Sequence, residues 1–381
     1  MTRRILYVGN GNVPSRWAHS VQSMKVAQGF VRCGARVTML TQSAIRDTFR
    51  CPIDIYEWYG IRDRFRIIRL PIRKRREDPS GAFKGWSYPR FNRIAARIAR
   101  LMRYDVVFTP DPDVVKDLIR AGVSGVVYEA HQPPDAGLPG ENLAKLSAIV
   151  VISPYLKDAM LARGVDAKKI LVAPDAVELE PFDSADPAPL SAQWRAGRDS
   201  KLIVGYCGHL YENRGIDSIL DCASRMRDML FVLVGGWPED IEKWKSKYRD
   251  LANVLFEGFV SNTLVPQYEK SMDVLLMPYS AKCQTADYMS PMKLAEYMAA
   301  GKAIVATDLP ALKDFLRHGE NSILVPPDDP EALQEAIRSL ADDKNLRVRL
   351  GERARRDISG FTWQARGTTI LEHVERLRGN R

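Results

Sequence analysis

The chain has no run of eighteen consecutive apolar residues, which excludes a membrane-spanning helix from its sequence pattern. Cysteine is scarce: five in 381 residues, an odd number, and never spaced as CxxC. That excludes a disulfide framework and a zinc ribbon, and it fits reduced, mostly buried thiols of a cytoplasmic protein. Met1-Thr2-Arg3-Arg4 runs straight into the strand-like Ile5-Leu6-Tyr7-Val8, with no apolar core or small-residue cleavage site of a signal peptide. A cytoplasmic location is therefore expected. A GxGxxG turn in dinucleotide register is also missing. Gly9-Asn10-Gly11-Asn12-Val13-Pro14-Ser15-Arg16 follows the first strand instead, and no acid closes the second strand as a ribose ligand would. A Rossmann oxidoreductase is disfavoured.

What is present is an ordinary soluble composition, 45% hydrophobic and 27% charged, in a chain long enough for two domains. Short, continuous apolar runs mark strands at residues 5–10, 36–42, 105–110, 125–131, 148–154 and 170–176. A second series falls at 202–209, 230–236, 254–260, 274–280, 303–308 and 323–327. Such runs, separated by helical segments such as 20–33 and 155–163, are those of parallel strands covered on both faces. Pro181, Pro187 and Pro189, among Asp, Ala and Ser, read as a linker over 181–200. The pattern predicts α/β architecture: two doubly wound, Rossmann-like domains, 1–180 and 201–361, with ligands bound in the cleft at the carboxyl ends of the strands.

Charge is uneven. Residues 60–104 hold fourteen Lys or Arg and three Asp or Glu, whereas the whole chain carries only +9. Arg73, Lys74, Arg75 and Arg76 form a compact cluster in a loop. Arg90, Arg93, Arg97, Arg100 and Arg103 line one side of a helical wheel, with Phe91, Ile94, Ala95, Ile98, Leu101 and Met102 on the other. A solvated face, an anionic membrane surface, a nucleic acid or an anionic substrate all suit such a stripe. No RNA-binding signature accompanies the nearby aromatics, so no nucleic acid is expected and the membrane reading is preferred.

Ser290-Pro291-Met292-Lys293-Leu294-Ala295-Glu296-Tyr297-Met298-Ala299-Ala300-Gly301 reads as a helix with both ends marked: Ser290 as N-cap, Pro291 at the first position, Gly301 as the stop. The unpaired N–H groups of Met292, Lys293 and Leu294, with the Lys293 charge, would attract phosphate. Glu296 lies on roughly the same face, placed to accept from ribose hydroxyls. The same twelve residues also describe a plain capped amphipathic helix. Arg214, beside Gly215, offers a planar fork for paired phosphate oxygens, and His131 ends a buried strand where a cleft role or a satisfied core histidine is open.

Taken in order, four features resemble the group 1, or family 4, retaining glycosyltransferases of the GT-B fold, many of which build bacterial surface polysaccharides such as lipopolysaccharide. They are Gly208-His209-Leu210-Tyr211 with Arg214-Gly215-Ile216-Asp217, then Phe231-Val232-Leu233-Val234-Gly235-Gly236, Asp273-Val274-Leu275-Leu276-Met277-Pro278, and the 290–301 stretch. More loosely, Ser20-Val21-Gln22-Ser23-Met24-Lys25 is similar to the family's first helix and Tyr128-Glu129-Ala130-His131 to its histidine strand. Ser153, Leu156 and Lys157 with Ala173-Pro174-Asp175-Ala176-Val177 resemble the approach to the hinge, and Trp363 opens a tail like the helix, here 362–381, that crosses back to the first domain.

The resemblance implies sugar transfer from a UDP- or GDP-type nucleotide sugar to a glycan or lipid-linked acceptor at the inner membrane surface, with retention and with neither cofactor nor metal. Glu296 would hold the ribose, while Arg214, Lys293 and the N–H groups after Ser290 and Pro291 would neutralise the leaving diphosphate. Gly208 and His209 would border the donor, His131 would lie near its sugar, and Gly11 and Asn12 would meet phosphate or acceptor. Two departures stand out. Tyr288 lies where the family's first glutamate is expected, with Asp287 beside it, and His209 and Arg214 stand where many members have Arg and Lys. A non-hydrolysing nucleotide-sugar 2-epimerase of the same fold, or a non-catalytic polyanion- or membrane-binding protein, are the alternatives.

Overall fold

A computed structural model describes residues 2–44, 53–72, 84–134, 138–249 and 251–379. The chain divides into two compact units, Met1–Asp175 with Trp363–Arg381, and Ala176–Thr362. Each is a doubly wound α/β unit.

The first unit holds a seven-stranded parallel sheet in the order β3-β2-β1-β4-β5-β6-β7. Its strands are β1 (Arg4–Asn12), β2 (Arg36–Ala44), β3 (Arg66–Ile72), β4 (Val106–Thr109), β5 (Val126–Ala130), β6 (Ala148–Val151) and β7 (Ile170–Val172). The second holds six in the order β10-β9-β8-β11-β12-β13: β8 (Ile203–Cys207), β9 (Leu230–Val234), β10 (Val254–Gly258), β11 (Val274–Met277), β12 (Ala303–Thr307) and β13 (Ile323–Val325). Strand order reverses beside β1 in the first sheet and beside β8 in the second. The loops after those strands are where such sheets bind ligands.

Two expectations need correction. Strand β3 has no counterpart in the sequence reading. Its Arg66, Arg69 and Pro71 interrupt the apolar run, which an edge strand tolerates because its outer side has no ladder partner. The 181–200 stretch is not a bare linker. It contributes to the helices Leu179–Ser184 and Ala188–Arg195, whose prolines sit at the cap or in first turns, where a missing N–H costs nothing. Phe182 and Trp194 are buried in the second unit's core, and the Trp194 indole N–H donates to Glu257 at 2.8 Å.

The basic helix, Lys84–Met102, also differs from its wheel. Phe91, Asn92, Ala95, Ala96 and Ala99 are buried, whereas Ile94 is 43% and Leu101 81% exposed. Small alanines take the packed face, so two large apolar side chains share the outer face with Arg93, Arg97 and Arg100.

The last helix, Trp363–Gly379, packs on the first, Ala18–Arg32, through glycine. A Cβ on Gly29 would lie 2.4 Å from the Trp363 carbonyl oxygen, and one on Gly367 would lie 3.1 Å from the Gly29 backbone. Gly29→Ala sets a helix-propensity gain of about 1 kcal/mol against overpacking that costs about 1–3 kcal/mol or more. At 2.4 Å from backbone the clash wins. The substitution should shift urea unfolding of the first unit to lower concentration with an unchanged slope, and an unchanged or raised midpoint would refute the close crossing.

Candidate donor and acceptor sites

In the second unit, the site is built on the end of β8. Its last residue, Cys207, donates its N–H to the Tyr297 hydroxyl at 2.8 Å, which ties the sheet edge to the helix Met292–Ala300. Gly208 follows with φ +140°, where a Cβ would stand 2.5 Å from Lys293 Nζ. Only glycine lets the backbone and that ammonium approach so closely. The Lys293 ammonium lies 3.7 Å from the Tyr206 ring centroid and 5.4 Å from that of Tyr279. The Arg214 guanidinium lies 4.4 Å over Tyr279, with Nη1 3.8 Å from Cys283 Sγ. His209 stacks on Tyr211 at 5.0 Å and on Trp237 at 5.8 Å, and the Tyr206 hydroxyl donates to its carbonyl at 2.8 Å.

Three basic groups thus converge on one sheet edge, against aromatic faces. Among the described residues neither Arg214 nor Lys293 forms a salt bridge, so both are held by cation–π contact. Burial and the Arg214 charge push the Lys293 ammonium down to about 7, although Cys207, Glu269 and Glu296 act in the other direction. Burial, then Lys293 and Arg214, push His209 down to about 4. Behind them the fully buried Glu269 carboxyl is raised well above its ordinary range, by burial and by Glu296.

The helix start differs in detail from the sequence reading. Pro291, not Ser290, is the N-cap, with no side-chain cap, and the Leu294 N–H already bonds to the Pro291 carbonyl at 2.9 Å. The Leu294 side chain is buried in the core. The groups presented at this end are therefore Met292 and Lys293, with Glu296 one turn on, and not Leu294. Gly301 closes the helix in the left-handed region, φ 66°.

In the first unit, His131 stands just beyond β5. Its Nε2 is 3.1 Å from Glu129 Oε2, and Glu129, fully buried, also accepts from Gln22 Nε2 at 3.0 Å and from Arg366 Nη2. Arg366 comes from the last helix and also donates to the carbonyls of Ala173 and Pro174. Gln22 reaches Asp175 at 3.3 Å, and Asp111 accepts the Asn10 N–H at 2.7 Å. Against its burial, Glu129 is held far below the usual carboxylate range by Arg366 and by the hydrogen bond from His131. Burial outweighs neighbouring charge for Asp175 and Asp111, and each is pushed up to about 6. His131 is raised: the Glu129 hydrogen bond and charge, then the Asp175 charge, outweigh its burial.

Gly11 and Asn12 end β1 in the same unit. Thr41 Oγ1 donates to the Gly11 carbonyl at 2.7 Å, and Ser20 Oγ to that of Asn12 at 3.0 Å, so this loop is tied down at both carbonyls. The structure thus gathers Gly11, Asn12 and His131 in the first unit, and Gly208, His209, Arg214, Lys293 and Glu296 in the second. Arg73, Lys74, Arg75 and Arg76 lie outside the described residues. Sequence reasoning missed Gln22, Asp111, Glu129, Asp175 and Arg366 as site residues. Glu129 alone left a usable signal: an acid inside an apolar strand, two residues before His131 and so on the same face.

The chain thus presents two doubly wound units, with a cluster of basic side chains at the carboxyl ends of the second unit's strands. Residues 201–343 match the family described as glycosyl transferases group 1, and the chain carries a group 1 glycosyltransferase domain there. Over 226 residues the chain is 30% identical to the phosphatidyl-myo-inositol mannosyltransferase of Mycolicibacterium smegmatis, covering 58% of this chain and 54% of that protein. It is 25% identical over 241 residues to an uncharacterized glycosyltransferase of Methanocaldococcus jannaschii, covering 61% and 59%. The matches thus span just over half the length of these curated relatives. Across nearly the full chain it superposes on Anabaena HepE in complex with UDP and glucose, with TM-score 0.74, 16% identity and 98% and 100% coverage. The sucrose-phosphate synthase of Thermosynechococcus elongatus gives 0.77, with 18% identity and full coverage of both.

A carboxyl whose folded value is raised contributes stability below its ordinary value, and loses it as pH rises through the folded value. For Asp175 that loss runs from about pH 4 to just above 6. Asp175→Asn keeps the acceptor for Gln22 and removes the buried charge. It should stabilise the first unit at pH 8 by at most about 3 kcal/mol, two units at about 1.4 each, with the gain fading by pH 4. Unfolding midpoints at pH 8 and 4.5 check this; a destabilised variant at pH 8 would show that the ionised carboxylate is needed.

Proposed function

We propose that the protein is a retaining glycosyltransferase that moves a sugar from a UDP- or GDP-type nucleotide sugar to a glycan or lipid-linked acceptor. The observation that carries this is the pair Arg214 and Lys293, stacked on Tyr279 and Tyr206 at the carboxyl edge of the second sheet. A leaving diphosphate is the group that such a pair is built to stabilise. The N–H groups at the start of the Met292–Ala300 helix add partial positive charge, and Arg214 binds paired phosphate oxygens through a planar fork. In this reading Arg214, which keeps its charge, and Lys293, which gains it fully beside a phosphate, supply the charge that a metal carries in other designs, so the reading requires no metal. Glu296, one turn beyond Lys293, suits the ribose hydroxyls.

In the first unit, His131 is set by Glu129 and keeps 32% of its side-chain surface exposed, which suits a polar contact to the donor sugar or acceptor. The likeness to UDP-bound HepE and to an inositol-lipid mannosyltransferase supports both a nucleotide-sugar donor and a lipid-linked acceptor. In this reading the leaving phosphate takes the acceptor hydroxyl's proton, and the sugar moves by front-face displacement through an oxocarbenium-like transition state.

A thermal-shift screen against UDP, GDP, dTDP and ADP tests the donor site. One base should raise the melting temperature by mass action, and Glu296→Ala should abolish most of that rise. If no nucleotide stabilises the wild type, the donor reading falls and an idle site with a polyanion-binding face takes its place.

The helix Lys84–Met102 supports a peripheral membrane location, on the inner face of the cell membrane. No described helix is long and apolar enough to cross a bilayer. Yet Ile94 and Leu101 stand exposed among Arg93, Arg97 and Arg100, the mixture that an interfacial helix uses. Replacing both Arg97 and Arg100 by Glu should remove salt-sensitive co-sedimentation with anionic liposomes and leave nucleotide stabilisation intact. Co-sedimentation indifferent to anionic lipid would sink the membrane role.

A further inference from the structure

A cavity of about 730 Å³ lies in the first unit, at the amino ends of β1, β2 and β3. Gly11, Asn12 and His131 belong to the opposite edge of the same sheet, roughly 25 Å away along β1. Strand register explains what lines the cavity. Arg4 is the ladder partner of Arg36, and Arg66 is that of Thr38, two residues along β2 from Arg36. Ladder partners point to one face of a parallel sheet, and so do residues two apart in a strand. Three adjacent strands therefore each set an arginine on the same face, with Thr38 among them. Arg64, just ahead of β3, adds a fourth, and no Asp or Glu is in the lining. The nearby acids are engaged elsewhere. Asp54 pairs with Arg64 and Asp63 with Arg32, each at 2.7 Å, and Asp105 accepts the Arg4 backbone N–H at 2.7 Å. Arg4 is steadied in place: its Nη2 donates to the Met102 carbonyl at 3.1 Å, and its guanidinium lies 5.3 Å from the Tyr104 ring centroid. Arg36 and Arg66 have neither an ion pair nor a side-chain hydrogen bond among the described residues. Like charges side by side in a ladder weaken a sheet, and an anion set between them removes that repulsion.

We propose that this cavity is a second anion site, which binds a phosphate ester through Arg36 and Arg66 with Arg4 beside them. A phosphate has enough oxygens and charge to engage several planar guanidinium forks at once, where a carboxylate satisfies one. The apolar side chains of Val31, Phe65 and Met102 line the same cavity and give the organic part of the ester a surface to lie on. The phosphate comes either from a soluble ester or from the glycerol phosphate of an anionic lipid. Met102 and Tyr104 follow directly on Leu101, which is 81% exposed at the end of the helix Lys84–Met102. A bilayer that receives this helix end brings its headgroups to the mouth of the cavity. The site uses neither Arg214 nor Lys293, so it stands or falls apart from the donor reading.

Two probes separate the sources: sn-glycerol 3-phosphate in calorimetry, and co-sedimentation with phosphatidylcholine vesicles that do or do not contain phosphatidic acid. Each is run on the full chain, on the double variant Arg36→Gln with Arg66→Gln, and on Arg214→Gln. Both pocket arginines are exposed and unpaired within the described residues, so the double variant should keep the melting temperature of the wild type. If it melts lower, Arg66→Gln alone, on the edge strand β3, takes its place. The expected result is binding that weakens at least about tenfold in the double variant and is unchanged in Arg214→Gln. Such a loss with glycerol 3-phosphate assigns the site to a soluble ester. A loss seen only with vesicles containing phosphatidic acid assigns it to a lipid headgroup. No binding of either probe overturns the proposal, as does binding that the double variant retains in full. Loss in Arg214→Gln with retention in the double variant also overturns it, and returns the phosphate to the second unit.

Discussion

Holding like charges close together against aromatic faces is the constraint on which the second unit's site is built. Two unit charges about 4 Å apart interact by roughly 4 kcal/mol even in a well-screened protein environment, a cost that the rest of the fold must carry. The compensation is visible in the aromatic faces under Lys293 and Arg214, each such contact being worth about 0.5–2 kcal/mol. It is visible again in the Cys207–Tyr297 hydrogen bond, which holds the helix of Lys293 against the sheet so that the ammonium cannot swing away. What gives way is protonation. Lys293 and His209 shed positive character, and Arg214, which cannot, keeps its full charge. An empty site of this kind is loaded toward an anion, which recovers the repulsion as binding energy.

The first unit presents the inverse problem. Glu129, Asp111 and Asp175 crowd one imidazole, and a single guanidinium answers them. Glu129 stays ionised because Arg366 and the hydrogen bonds from Gln22 and His131 satisfy it, while Asp111 and Asp175 move toward neutrality. Removing one partner of a buried ion pair strands the other, which is why Arg366 matters more than its place in a terminal helix suggests. The pair joins residues 237 positions apart, and the helix that supplies Arg366 is seated by the Gly29 crossing. The last seventeen-residue helix therefore completes the first unit and brings Arg366 to its candidate site.

How much of this could be read from the sequence follows from the range of the interactions. Buried parallel strands announce themselves locally, so the apolar runs from Ile5 onward located the strands other than β3, whose arginines and proline suit an edge. Arg214, His209 and Lys293 were legible because each lies within a few residues of a strand end or helix start, where backbone geometry aims it. Ser290 as cap failed by one position, because Pro291 adopts the extended cap conformation itself. Prolines at 181, 187 and 189 looked like a linker because a proline in a first helical turn and a proline in a coil are the same letter. Ile94 and Leu101 were placed inward, since a wheel finds an apolar side but not which neighbours approach it; three alanines allow the closer contact and win. Gln22 and Asp175 fell inside stretches that resemble the family but drew no site role, and Arg366 drew none either, because nothing local distinguishes them from surface polar residues.

The charge at the two sheet edges also sorts the chemistry each can serve. At the first edge Glu129 is satisfied by Arg366, Gln22 and His131, and Asp111 and Asp175 move toward neutrality, so this edge carries no cation cluster like that of the second. Carboxylates and a raised histidine are well matched to neutral hydroxyls, which they accept from and orient without paying for charge repulsion. The second edge has the opposite preference, with cations for the diphosphate and Glu296 one turn away for hydroxyls. Taken separately, the first unit's edge is suited to neutral hydroxyls and the second's to an anion, which is the division the proposed function uses.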